Sequence, residues 1–109
     1  MSKQVEYQKE LAKLTDIFKD VEPSKAKLVE GLIQDAAFLK AENFGLRQSL
    51  EKTGMIKIHP QYPDIQKPIE SARQYLKNVN SYAVVIKTLN GVLNKSMIDS
   101  DEDELEEFE

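Results

Sequence analysis

The chain has 109 residues, 40% hydrophobic and 31% charged, with four glycines and four prolines; that fits one domain with enough apolar residues for a packed core. It has no cysteine and one histidine, His59, which excludes disulfides, thiolate zinc sites and cysteine nucleophiles and argues against a histidine-ligated metal centre. The formal charge of −4 joins two unlike parts: Asp99, Asp101, Glu102, Asp103, Glu104, Glu106, Glu107 and Glu109 are eight acids without a base, which leaves 15 bases and 11 acids in residues 1–98, a net +4.

The first expected helix covers residues 2–20. Tyr7, Leu11, Leu14, Phe18 and Val21 follow a 4-3-4-3 spacing, and Ile17 widens the stripe. Glu22-Pro23-Ser24 interrupts it, because proline disfavours helical geometry in the residue before it and suits the first turn of the next helix. The second helix is expected over residues 23–53. Val29, Leu32, Ala36, Leu39, Asn43, Leu46 and Leu50 repeat as 3-4-3-4-3-4, while Leu28, Ile33, Phe38 and Phe44 add apolar surface outside that seam. Gly54 stands where the helix needs a residue tolerant of left-handed geometry.

Residues 54–67 read as a connection punctuated by Pro60 and Pro63, with room for a short helical turn over residues 63–66. The third helix is expected over residues 68–95, with Pro68 at its start. Ile69, Ala72, Leu76, Val79, Ala83, Ile86, Asn90 and Leu93 keep the heptad spacing, and Tyr75, Tyr82, Val85, Leu89 and Val92 form a second stripe beside it. A helix of about 28 residues is about 42 Å long, whereas a compact 100-residue globule has a radius of gyration of about 13 Å. The expected fold is therefore all-α: an elongated antiparallel helical hairpin, partly covered by the shorter N-terminal helix, that self-assembles to hide its remaining apolar surface. In that hairpin Gly31 faces Asn90 and Gly91 at a close approach, and Asn43 pairs with Asn78 as a buried amide couple. Residues 1–97 form the oligomerisation and DNA-binding domain, and residues 98–109 form a disordered acidic tail, since eight like charges repel.

The residue types for chemistry are sparse. His59 has no carboxylate partner nearby in sequence, and Glu30, Asp35, Glu42 and Glu51 share their helix with Lys27, Lys40, Arg47 and Lys52 as an ordinary solvated face. There is no glycine-rich phosphate loop. The chain is read as a non-enzyme without cofactor or metal. Its binding residues come from two basic sets: Lys3, Lys9, Lys13, Lys19, Lys25 and Lys27, interleaved with acids, and Lys67, Arg73 and Lys77, with Lys87 and Lys95 further along the same helix. Repetition in a ring adds such modest patches into a stronger field. In the acidic tail, Leu105 and Phe108 are the apolar anchors of a docking motif for a basic partner. A solubilising or an autoinhibitory tail is the alternative. No apolar run reaches the roughly 18 residues of a membrane span, and the first ten residues are polar, so a soluble intracellular protein is expected.

Residues 14–93 resemble small terminase subunits of tailed phages of Gram-positive hosts. The likeness lies in Ile17-Phe18-Lys19-Asp20-Val21, in Lys27-Leu28-Val29-Glu30-Gly31-Leu32-Ile33-Gln34-Asp35-Ala36-Ala37-Phe38, in the Glu51-Lys52-Thr53-Gly54 turn, in His59-Pro60 and in the helix around Tyr75. The resemblance implies a ring-forming packaging factor, active in the cytoplasm of the infected bacterium, that binds double-stranded viral DNA and brings it to the large subunit bearing the ATPase and nuclease. Many small terminases carry an N-terminal helix-turn-helix. One short helix before Pro23 is not enough for that, so basic surface on the ring is the expected route to DNA. The rival readings are a coiled-coil adaptor or regulator that never touches DNA, and a DNA-mimicking inhibitor that uses the acidic end.

Overall fold

A computed structural model describes the backbone of residues 2–107 and the side chains of residues 2–95. The described residues form α1 (Lys3–Ile17), α2 (Pro23–Thr53), β1 (Ile56–Ile58), β2 (Gln66–Pro68) and α3 (Glu70–Glu107). The third helix is expected to end at residue 95, with residues 98–109 a disordered acidic tail; instead α3 runs on as helical backbone through Glu107, while the tail's side chains lie outside the described residues.

Local chemistry sets each boundary. Ser2 caps α1, its Oγ accepting from the Val5 N–H at 3.3 Å. Phe18 ends that helix with its N–H on the Leu14 carbonyl, and a turn closes from Val21 N–H to the Phe18 carbonyl. Pro23 opens α2, where a missing N–H costs nothing, and the Glu22 carbonyl accepts from Lys25 and Ala26. Gly54 ends α2 at φ 76°, a backbone setting that L side chains rarely adopt.

Residues 54–67 are more ordered than a plain connection. β1 and β2 pair antiparallel in the register Ile56↔Pro68, Lys57↔Lys67 and Ile58↔Gln66. The loop between them is closed by His59 N–H on the Ile65 carbonyl and by Ile65 N–H on the Tyr62 carbonyl. Pro68 belongs to the end of β2 rather than to α3, which starts two residues later, with the Ile69 carbonyl accepting from Ala72 and Arg73. No helical turn forms over residues 63–66.

α2 and α3 run antiparallel. Val29, Ile33 and Ala36 of α2 share the core with Leu89, flanked by Tyr82, Val85, Ile86, Val92 and Leu93 of α3. Leu14, Phe18 and Val21 complete that core, so α1 covers the open end of the helix pair. The result is slender, 76 × 28 × 16 Å with a radius of gyration of 19.8 Å, well beyond the roughly 13 Å of a compact chain this size.

Four packing expectations need correction. On α2 the 29-to-50 repeat is buried or half-buried throughout, but on α3 the second stripe faces the core while Leu76, Val79, Ala83 and Asn90 of the heptad stripe stay exposed. Nothing lies within 4 Å of a Cβ placed on Gly31 or Gly91, so the close approach there does not occur. Asn43 is buried with its Oδ1 unpartnered, while Asn78 Oδ1 accepts from Gln74 one turn away at 2.8 Å, so the amide couple is not made. On α1, Ile17 is exposed and Glu10 is buried in its stead.

Candidate nucleic-acid interface

The lysines of α1 and of the turn after it are held by acids. Lys9 pairs with Glu6 (4.0 Å), Lys13 with Glu10 (3.0 Å) and Lys19 with Asp16 (3.6 Å), each across three residues. This follows from the interleaving itself, because residues three apart are neighbours on a helix surface. Lys3 reaches α2 instead. Its stem lies over Gly45, where a Cβ would meet Lys3 Cε at 2.5 Å, and its ammonium pairs with Glu42 at 3.3 Å.

Glu10 is the least expected residue here. It is 5% exposed, yet it accepts from the Tyr82 hydroxyl at 2.6 Å and from Lys13 at 3.0 Å. Lys40 sits 5.5 Å over the Tyr82 ring, so side chains of all three helices meet at this point. Burial pushes the Glu10 carboxyl up. The hydrogen bonds from Tyr82 and Lys13 and the charges of Lys13 and Lys40 outweigh that, and the net shift is below its ordinary value of 4.5. The Tyr82 hydroxyl is held above its ordinary 10.0 by burial first and by its bond to Glu10 second. This is a structural clamp. It ties α1 to the helix pair, while Lys13, bonded to the same carboxylate, stays exposed.

The second basic set lies at the opposite end. Arg73 pairs with Glu70 at 3.5 Å, at the start of α3. Lys77 is exposed one turn further on, and Lys87 and Lys95 are exposed toward the other end of that helix. Lys67 lies in β2 directly across from Lys57. Among the described residues no ion pair engages Lys27, Lys57, Lys67 or Lys77. Lys25 is half-buried at the start of α2. Leu105 and Phe108, the expected docking anchors, lie outside the described side chains. The structure thus divides the nine expected DNA contacts. Lys3, Lys9, Lys13, Lys19 and Arg73 are ion-paired, Lys27, Lys67 and Lys77 have no ion pair among the described residues, and Lys25 is half-buried. Lys67, Arg73 and Lys77 gather near the hairpin.

Lys57 is the residue that sequence reasoning missed. Its signal was the alternation Ile56-Lys57-Ile58, a strand period too short to stand out between a helix end and two prolines. Alternation along the pleat puts Lys57, His59, Ile65 and Lys67 on one face and Ile56, Ile58 and Pro68 on the other. His59 Nδ1 accepts from the N–H groups of Gln61 and Tyr62, at 3.1 Å each, which leaves Nε2 to carry the ring proton. A recess of about 430 Å³ opens here between Lys57, Ile58, His59, Pro60, Ile65 and Lys67. Every residue from 51 to 68 is exposed.

No group of three or more metal-ligating side chains occurs among the described residues, and none of their helices is long and apolar enough to cross a membrane. No protein-family model, no curated protein and no solved structure matches the chain.

Proposed function

We propose that this chain is a DNA-packaging factor of the small-terminase kind. It assembles copies of itself, binds double-stranded viral DNA without catalysing a reaction, and recruits a large ATPase/nuclease subunit through its acidic end in the cytoplasm of an infected bacterium. The observation that carries the assembly step is the apolar surface left uncovered on a thin rod. Leu76 and Val79 are 51% and 39% exposed on the heptad stripe of α3, with Ala83 and Asn90 continuing it, and Phe38 is 58% exposed on α2. Apolar surface of this regularity, along a helix with one face already packed, supports a seam for another helix. Cyclic closure of such contacts gives a ring, which multiplies each subunit's modest positive charge.

A second reading is favoured by one observation. The ion-paired lysines of α1 and of the turn after it suit a helical adaptor that associates through the same apolar stripe and never meets DNA. Native mass spectrometry combined with a salt-titrated gel shift separates the two. The packaging reading expects a closed assembly of many copies and a duplex affinity that falls steeply with salt, because bound phosphates release their counterions. The adaptor reading expects assembly without a shift. In either case Leu76→Glu with Val79→Glu should dissolve the assembly, and a monomer that persists at high concentration in the wild type sinks both.

A further inference from the structure

We propose that the β1–β2 ribbon is the element that meets the DNA, with Lys57 and Lys67 as its phosphate contacts and the His59 Nε2–H as a third donor on the same face. This rests on the packaging reading above and says where on the subunit the duplex binds. Two like charges directly opposite in an antiparallel pair destabilise the pair, and Lys57 and Lys67 occupy that arrangement in a hairpin only three residues long on each side. No acid of the described residues forms an ion pair with either. The hairpin therefore carries a doublet of positive charge that no ion pair offsets, with Asp64 the one acid in its loop, on a surface exposed throughout.

Its shape suits a duplex better than a protein groove. A two-stranded ribbon is one of the few elements narrow enough for the roughly 12 Å major groove, and this one projects from the end of a rod whose smaller dimensions are 28 and 16 Å. Arg73, Lys77 and Lys52 stand at the base of the ribbon, where a backbone running past the tip comes within reach. The chain's own acidic segment is poorly placed to be the occupant. The stretch of α3 from Glu70 to Lys95 holds its start about 38 Å from the ribbon at 1.5 Å per residue. In a ring the doublets repeat once per subunit, as phosphates repeat along a strand.

The test uses the full chain carrying Lys57→Gln with Lys67→Gln, beside a control carrying Arg47→Gln on the solvated face of α2. Each is titrated against labelled duplex DNA of mixed sequence by fluorescence anisotropy between about 50 and 200 mM salt. Matching thermal melts and oligomer masses establish that both variants fold and assemble as the wild type does. The expected result is a loss of about tenfold or more for the ribbon variant, with a log-affinity against log-salt slope shallower by about 2 for each ribbon engaged, and little change for the control. Equal affinity of the ribbon variant and the wild type overturns this inference and leaves DNA binding intact. A wild type that does not bind duplex at all overturns the packaging reading, and this inference with it. A synthetic peptide of residues 99–109 that binds the wild type and not the ribbon variant, while the variant keeps its DNA affinity, overturns the inference in favour of an acidic protein segment.

Discussion

The two ends of the rod use similar residue types to opposite effect. At the three-helix end, Leu14, Phe18, Val21, Val29, Ile33, Ala36 and Leu89 are buried together, and Lys13 and Lys19 have carboxylate partners. At the hairpin end, Met55, Ile56, Ile58, Tyr62 and Ile65 are all exposed, and Lys57 and Lys67 face each other across the ladder. The first end resembles the inside of a protein, with its charges balanced. The second resembles one half of an interface. On the packaging reading proposed above, stability and binding are separated along the length of the molecule, and substitutions can be assigned to one or the other.

The largest expected effect is at Leu89, 1% exposed at the centre of the core. Leu89→Ala should cost about 2–5 kcal/mol in urea denaturation, from lost transfer energy and an incompletely collapsed cavity. Ile58→Ala in the hairpin should stay within about 0.5 kcal/mol, as for other surface sites. Equal costs at the two would erase the contrast between the ends. Next comes the clamp. Tyr82→Phe takes a hydrogen bond from a buried carboxylate and should cost about 1–3 kcal/mol.

The same clamp sets an acid limb. The folded state holds the Glu10 carboxyl below its ordinary 4.5, so the stability it contributes is fully present above that pH and is lost as pH falls through the lower, folded value. A series of denaturation curves taken downward from pH 5 should show this loss in the wild type and a flatter limb in Glu10→Gln. Asn43→Leu should be neutral or stabilising by about 1 kcal/mol, since it removes a buried oxygen without a partner and fills similar volume. The smallest effect belongs to the ribbon: Lys57→Gln should leave the melt unchanged or raise stability by a few tenths of a kcal/mol by relieving like-charge repulsion.

The helices were readable because their signals are long. The seven-position repeat of α2, together with Pro23 and Gly54 at its ends, yields the observed Pro23–Thr53 without adjustment. α1 came within three residues of its expected end, though its cap by Ser2 was not read. Which of two adjacent stripes on α3 faces inward was not readable, because both are apolar and the choice depends on where α1 sits. Tyr82 decided it by turning its hydroxyl to Glu10, a contact 72 residues apart in sequence. The candidate contacts were half readable. Lysine positions are visible in any sequence, but whether a lysine is available depends on its neighbours three residues away and across a turn, and the prolines around the short strands obscured the turn that matters here.

A ribbon of two strands leaves both of its outer edges with unpaired backbone groups, an invitation to stack edge to edge with other copies into aggregates. Ile56 and Ile58 make that hazard real. Lysines on a short strand and a proline at its end are the recognised safeguards, and Lys57, Lys67 and Pro68 supply both. The two cations would then act as gatekeepers of solubility whenever no polyanion is bound, and replacing them with valine should turn a tractable protein into one that precipitates.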